Sequence, residues 1–422
     1  MNRDILKQII IDQKDVYLSN PLVPRQYPLE DNVNYCFVGI RRTGKSYMMY
    51  QQIKNLQTKG VPLSQIIYVN FEDERLLEIT VDDLNTILEI GLELAGIDNK
   101  PYLFLDEIQN INGWEKFARR LADMKYHINI TGSNSKMLSN EIASTLGGRF
   151  MIMNIYPYSF TEYLVAKGKD KNFCDAISTK DRADVISQYN EYVTYGAFPE
   201  LVDIKNKRDY LSNIYQTVYL GDIITRNKVT NDFAIKLILK KIAETITKPL
   251  SFNRLTNIIK STGISLGKQT VINYLGYITD SYLLFSIPNY AAKLALKETS
   301  PKYYFMDTGF LALMLLDCKS AQLENLVAIE LIRRYGKDDV FYFENNVEID
   351  FYIPSEGLAV QVSMQVLDNI DTKERETRAF IKLNNFIHLS KCILITNAEE
   401  AILDYEGITI NVVPIWKWLL ND

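Results

Sequence analysis

GIRRTGKS, Gly39 to Ser46, decides how the rest of the chain is read. It fits the pattern G-x-x-x-x-G-K-[ST], a phosphate-binding loop that works where a strand enters it and a helix leaves it. Both flanks suit. Asn34–Val38 (NYCFV) is a short apolar run with strand character, and Ser46–Leu56 (SYMMYQQIKNL) spaces its apolar residues as a helix does. Gly39 and Gly44 let the backbone curl so that its N–H groups face phosphate oxygens, and the helix N-terminus adds partial positive charge. Lys45 is expected to reach the β- and γ-phosphates, and the Ser46 hydroxyl to join the Mg²⁺ shell. The nucleotide-contacting set is Gly39, Arg41, Arg42, Thr43, Gly44, Lys45, Ser46 and Tyr47. A chance match in a glycine turn is the bland alternative, and the strand–helix context argues against it.

The second half of such a site is a carboxylate at a strand tip. Gln65–Phe71 (QIIYVNF) reads as a buried strand ending in Glu72-Asp73-Glu74, and a helix is expected from about Val81 to Leu94. Tyr102–Leu105 (YLFL) then runs straight into Asp106-Glu107. Tips of parallel strands lie along one edge of the sheet, which brings Asp106 beside the loop to hold Mg²⁺ through water. Glu107 is the expected general base for the attacking water. A further strand, His127–Ile130, leads into a polar turn, Thr131-Gly132-Ser133-Asn134-Ser135. Asn134 or Ser133 is the expected sensor of the γ-phosphate, although such residues also form turns and helix caps. Arg149 follows two glycines and precedes the strand Phe150–Ile155. Two roles are open to it: an arginine finger toward a neighbouring subunit's γ-phosphate, or a local cap or ion pair. Pro21, Pro24 and Pro28 make residues 18–33 an extended strap, in which Arg25 is either near the base or a surface charge.

Composition narrows the class. A chain of 422 residues suggests two to four domains, and 47% apolar residues suffice for packed cores. No apolar run is long enough to span a membrane, and Met1–Gln13 reads as a short amphipathic helix rather than a signal peptide. Cys36, Cys174, Cys318 and Cys392 have no metal-ligand spacing and read as free buried thiols in a reducing cytosol. His127 and His388 are the only histidines, which nearly excludes a histidine metal site. A net charge of −5 argues against a wholesale nucleic-acid coat but leaves room for a local basic face.

The chain resembles the AAA-type ATPases of bacteria and archaea that carry a C-terminal restriction-endonuclease-like domain. Besides the loop, the residues that carry the resemblance are YLFLDEIQNINGWE (Tyr102–Glu115), ITGSNSKML (Ile130–Leu138), LGGRF (Leu146–Phe150) and PYSFTEYL (Pro157–Leu164). YGAFPELV (Tyr195–Val202), YLGDIITR (Tyr219–Arg226), PKYYFMDTGF (Pro301–Phe310) and LENLVAIEL (Leu323–Leu331) extend it over nearly the whole chain. The resemblance implies an ATPase core, a helical middle with a winged-helix part, and a nuclease-like end.

The middle fits that outline. Residues 159–226 turn helical, with Tyr189, Tyr192 and Tyr195 as packing aromatics and Asp222 and Arg226 spaced for an i, i+4 pair. Phe233–Ile246, Phe252–Ser261 and Lys268–Thr279 read as three helices of a helix-turn-helix, and Tyr282–Ile287 and Lys302–Met306 as wing strands. Between Ser251 and Asp280 three cations (Arg254, Lys260, Lys268) face one acid, a thin charge for a DNA reader. In the C-terminal part, Glu324 and Glu330 lie on a helix, Asp350 sits in EIDFYI and LAVQVS follows. A restriction-type nuclease needs an acid–x–Lys where this chain has Gln361-Val362-Ser363. A neutral amide is no anionic ligand and serine supplies no ammonium, so the active site reads as decayed. Residues 371–378 (DTKERETR) read as a solvated helix face.

The fold expected is α/β: a P-loop, AAA-like parallel sheet over residues 1–158, a helical region over 159–232, a winged helix over 233–310 and a degenerate nuclease-like domain over 311–422. The function expected is Mg²⁺-dependent ATP binding and hydrolysis in the cytoplasm, coupled to movement of the other domains. ATP is preferred to GTP because no Asn-Lys-x-Asp element follows the core. Double-stranded DNA is a candidate partner and a homo-oligomer a candidate state; no membrane is involved. An ATP-switched DNA-binding regulator with little turnover and a metal-dependent nuclease are the rival readings.

Overall fold

A computed structural model describes the whole chain except residues 97, 134–143, 170–177, 294–296, 298 and 422. The chain divides into two compact units, Met1–Tyr156 and Pro157–Asp422.

The first unit is a parallel sheet in the order β2-β3-β4-β1-β5. The strands are β1 (Asn34–Val38), β2 (Ile66–Asn70), β3 (Tyr102–Asp106), β4 (His127–Gly132) and β5 (Phe150–Asn154). All are short; β1 to β4 are buried, as strands covered on both faces must be, whereas the edge strand β5 exposes Met151, Ile152 and Asn154. The helices are α1 (Arg3–Ser19), α2 (Lys45–Thr58), α3 (Leu84–Ala95) and α4 (Trp114–Asp123). On α1 the buried residues Leu6, Ile9, Ile10, Gln13 and Tyr17 recur at helical spacing and pack on β2. Gln13 is a polar member of that stripe and is satisfied there: its side chain donates to Asp73 Oδ2 (3.1 Å) and accepts from the Asn70 N–H (2.8 Å). Residues 20–33 carry no regular structure, as the prolines imply.

One sequence expectation changes here. β4 runs through Thr131 and Gly132, where a turn was expected to start, because both residues pair with β1 opposite Phe37 and Val38. β4 also lies between β1 and β3, so Asp106 is one strand removed from the phosphate-loop strand.

The second unit begins with helices α5 (Phe160–Ala166), α6 (Thr179–Tyr195) and α7 (Lys207–Thr217), the last continued by a π-helical segment, Val218–Thr225. Ser159 and Glu162 form a reciprocal capping box that starts α5. Asp222 and Arg226 pair at 2.8 Å. Next come α8 (Asp232–Glu244), α9 (Phe252–Ser261) and α10 (Lys268–Asp280), followed by an antiparallel pair, β6 (Leu284–Ile287) and β7 (Lys302–Phe305). After α11 (Gly309–Met314) and α12 (Lys319–Tyr335) comes a six-stranded sheet in the order β12-β13-β11-β10-β9-β8. Its strands are β8 (Phe341–Glu344), β9 (Glu348–Ile353), β10 (Leu358–Ser363), β11 (Lys391–Thr396), β12 (Ala401–Tyr405) and β13 (Ile408–Pro414). β10, β11 and β13 are parallel to one another, and the outer strands run antiparallel. Helices α13 (Ile370–Asn384) and α14 (Ile415–Trp418) complete the unit.

Two stretches that carry the family resemblance turn out to be ties within this unit. Asp307 is buried and accepts from the backbone N–H groups of Ala197 and Gly309, each at 2.8 Å. A side chain at Gly196 would collide with that carboxylate, its Cβ 1.9 Å from Oδ1, which explains a glycine in YGAFP. Burial raises Asp307 to about 6, against both backbone bonds. Asn325 on α12 reads both polar atoms of Phe305 on β7, at 2.8 and 2.9 Å. Other expectations are corrected. Cys318 is half-buried, whereas Cys36 and Cys392 are buried. Glu376 and Thr377 are buried within the run 371–378 that read as solvated.

Candidate nucleotide site

The loop between β1 and α2 is shaped for anions. Gly39 (φ +146°) has no room for a side chain, since a Cβ would lie 2.4 Å from the Ile155 carbonyl oxygen. Gly44 is left-handed and starts α2 without a side-chain cap, leaving the first helical N–H groups for a ligand. Thr43 is buried and donates to the Ile40 carbonyl, so it shapes the turn from inside. Lys45 is 4% exposed, and its ammonium donates to the carbonyls of Gly39 and Ile40, each at 3.2 Å. Arg41 pairs with Glu72 at 3.3 Å, Arg42 is exposed with φ +66°, and the Tyr47 hydroxyl donates to Asn20.

Arg25 is not a surface charge. It is buried, and its guanidinium donates to the carbonyls of Thr43 (2.9 Å) and Tyr156 (2.8 Å). The strap is thereby fastened to the back of the phosphate loop.

Asp106 and Glu107 reach the same edge of the sheet. Asp106 is fully buried; Oδ2 accepts from the Tyr68 hydroxyl at 2.6 Å and Oδ1 from the Thr131 hydroxyl at 2.5 Å. Ser46 is also hydrogen-bonded to it. Burial, then the neighbouring Glu107, raises the Asp106 carboxyl above the usual range, and the three hydroxyls oppose that rise. Glu107 is left-handed (φ +54°), a conformation that costs a non-glycine residue about 1–3 kcal/mol. Its N–H donates to Thr131 Oγ1 at 2.7 Å, and its carboxylate lies 3.9 Å from the Lys45 ammonium and accepts from Gln109. Glu72 belongs to the same field: burial and Glu107 raise it, and Arg41 opposes them.

The residues Ser46 and Asp106 fit a hard divalent cation. They offer a hydroxyl and a carboxylate in mutual contact beside the loop, the oxygen set that Mg²⁺ takes alongside phosphate and water.

Lys45, Ser46, Asp106 and Glu107 therefore come together. Ser133, at the tip of β4, is buried, and its hydroxyl has no hydrogen-bond partner among the described residues. Asn134 lies outside the described residues. Arg149 stands elsewhere: Phe150 pairs with Asn34 at the start of β1, about 16 Å of strand from the loop. It binds Asp123 and the carbonyls of Leu146 and Gly147. Sequence reasoning overlooked Tyr68 and Gln109, and named Thr131 only as part of a polar turn. Tyr68 carried a signal: a tyrosine in an otherwise apolar strand needs a partner for its hydroxyl.

Comparison with known proteins agrees with this geometry. A family model of the AAA domain matches residues 32–164, and a domain of unknown function (DUF8612) matches residues 186–322. The chain is 33% identical to the uncharacterized protein MJ1544 of Methanocaldococcus jannaschii, over 99% of this chain and 95% of that one. It belongs to that family. An uncharacterized protein of Haemophilus influenzae is 31% identical over 91% of this chain and 93% of its own length. Among solved structures, the Walker-type ATPase PABY2304 of Pyrococcus abyssi aligns with a TM-score of 0.40 at 12% identity, over 74% of this chain and 95% of that one. The family match over residues 32–164 gives the first unit an AAA-type P-loop domain. Among the described residues no helix is long and apolar enough to cross a membrane.

Thr131 is the hinge of the carboxylate pair, since one hydroxyl donates to Asp106 and accepts from Glu107. Thr131→Val keeps the branched shape and removes both bonds. Its kcat for ATP hydrolysis is expected to fall by about 10–100-fold, the usual cost of an outer-sphere partner. Thr131→Ser is expected to restore most of it, and an unchanged kcat in Thr131→Val would remove Thr131 from the site.

Proposed function

We propose that the chain is an ATPase. The observation that carries this reading is the convergence of Lys45, Ser46, Asp106 and Glu107 at one edge of the parallel sheet, with Glu107 3.9 Å from Lys45. Lys45 lets go of the loop carbonyls to meet the β- and γ-phosphates, while the loop N–H groups and the α2 N-terminus hold the remaining phosphate charge. Bound Mg²⁺ supplies neutralisation of phosphate charge, and Ser46 and Asp106 would hold it. Glu107 orients a water in line with the γ-phosphorus and takes its proton as the P–O bond to the β-phosphate breaks. The buried Ser133 hydroxyl, without a partner among the described residues, supports a contact to the γ-phosphate or the lytic water, alone or with Asn134. The test is ATP turnover with and without Mg²⁺; a chain that binds ATP but releases no phosphate in either condition would turn us to the switch reading.

We further take α8–α10 with β6 and β7 as a winged helix and the C-terminal sheet as nuclease-like, with double-stranded DNA as the partner and hydrolysis moving these parts. The helix order followed by an antiparallel pair supports the first assignment. A rise in turnover on adding duplex DNA is the expected result. The reduced thiols Cys36, Cys318 and Cys392 suit the cytosol.

For Arg149 we favour the local role, because its guanidinium is occupied by Asp123 and two carbonyls. Arg149→Ala is expected to leave ATP turnover within about twofold, as surface ion pairs carry little energy. A fall of two orders of magnitude, with specific activity rising with protein concentration, would make it a finger acting between subunits.

A further inference from the structure

The second unit holds a lysine among acids. Lys302 on β7 has no exposed surface, yet its ammonium lies 3.6 Å from Glu324, 3.5 Å from Glu348 and 3.4 Å from Asp350. It also sits over the Tyr342 ring, 5.4 Å from its centre. The acids are held from behind: the Tyr304 hydroxyl donates to Glu324 (2.7 Å) and the Val362 N–H to Asp350 (2.9 Å). Burial pulls the ammonium's pKa down, but Glu324, Asp350 and Glu348 outweigh it and keep Lys302 charged. Burial lifts Glu324 to about 7 and raises Asp350 as well, in both cases against the pull of Lys302. Glu324, Glu348 and Asp350 line a cavity of about 1020 Å³.

A nuclease would hold Mg²⁺ here, and the residues present do not fit it. Gln361 is neutral and both its polar atoms are engaged within the sheet: Oε1 accepts from the Asp350 N–H (2.8 Å) and Nε2 donates to the Glu348 carbonyl (3.2 Å). Ser363 donates to the Gln365 carbonyl at 3.0 Å. Among the described residues no group of three acids, histidines or cysteines is disposed around a metal position. Mg²⁺ needs near-octahedral oxygens at about 2.0–2.1 Å, which three carboxylates gathered on one ammonium do not give.

We propose that Lys302 is the resident cation of this centre: its ammonium takes the place a divalent ion holds in a nuclease, and the cavity neither binds Mg²⁺ nor supports metal-dependent phosphodiester cleavage. This rests on the nuclease-like reading of the C-terminal sheet and is independent of ATP hydrolysis. The sequence supplies the ammonium from β7 instead of from position 363, and removing it would leave the acids facing one another without a counter-charge.

The test is a Mn²⁺ titration of the nucleotide-free full chain, followed by electron paramagnetic resonance of the free ion. Wild type is expected to show no Mn²⁺ binding that Asp350→Ala removes. Lys302→Met is expected to gain one Mn²⁺ site, tighter by about tenfold or more than any in wild type, and to lose it again with Asp350→Ala added. Wild-type binding that disappears in Asp350→Ala would overturn the proposal and make Lys302 a lysine beside a metal. A folded Lys302→Met that gains no Mn²⁺ would overturn it too. Should Lys302→Met fail to fold, Lys302→Gln goes through the same titration, and the wild-type comparison decides by itself. ATP turnover read on the same samples keeps a failure of the ATPase reading separate from this outcome.

Discussion

Glu107→Gln is expected to keep ATP bound and to lower kcat by about 10²–10⁴-fold, the range that a lost general base removes. The change is close to isosteric. The backbone N–H of residue 107 still donates to Thr131, so the left-handed turn that aims the side chain survives. The amide can still meet Gln109, and only the basic oxygen is gone. Binding is expected to hold or tighten, because the substitution removes a negative charge 3.9 Å from the ammonium that must receive the phosphates. Steady-state phosphate release and equilibrium ATP binding, each with and without duplex DNA, separate the two effects. A variant that turns over within about threefold of wild type would sink Glu107 as base and pass the water-activating role to Glu72, another carboxylate in the same field.

What could be read in the sequence was what chemistry forces to be contiguous. Gly39–Ser46 must be consecutive because one backbone curl has to present several N–H groups at once, and Asp106-Glu107 are adjacent because both use one strand tip. The residues that sequence reading missed meet across strands. Thr131 looks like the start of a turn until β4 is placed between β3 and β1, and strand order in a parallel sheet is not written locally. Arg25 is one charge in a proline strap until the chain folds it under Thr43. Lys302 reads as part of a wing strand, and its three acids lie between 22 and 48 positions downstream, on α12 and β9. That residues 361–363 do not read acid–x–Lys was legible; the ammonium among acids that forms in space was not. Glu376, inside a charged run, was misjudged for a related reason, since composition says nothing of which helix face meets the cavity.

Lys45→Met is expected to weaken ATP binding by about 10²–10³-fold and to abolish turnover, in keeping with the 2–5 kcal/mol lost when one partner of a buried, hydrogen-bonded charge pair is truncated. Methionine fills the space of the alkyl stem, so the loss is of charge and donors rather than of packing. The Lys45 side chain is 4% exposed and shares its field with Glu107, Glu72 and Asp106, so the nucleotide-free protein also loses a buried counter-charge. Two shifts in melting temperature should therefore move together: a lower value without nucleotide, and no rise on adding ATP with Mg²⁺, since ligand-linked stabilisation vanishes with affinity. The pairing of the two is what tests the site. A variant that melts lower but is still lifted by ATP would mean that Lys45 is only a structural counter-ion and that Arg41, Arg42 and the loop N–H groups carry phosphate recognition. A variant unchanged without nucleotide, and unmoved by it, would leave phosphate recognition with Lys45 and assign the balancing of Glu107 and Glu72 to Arg41.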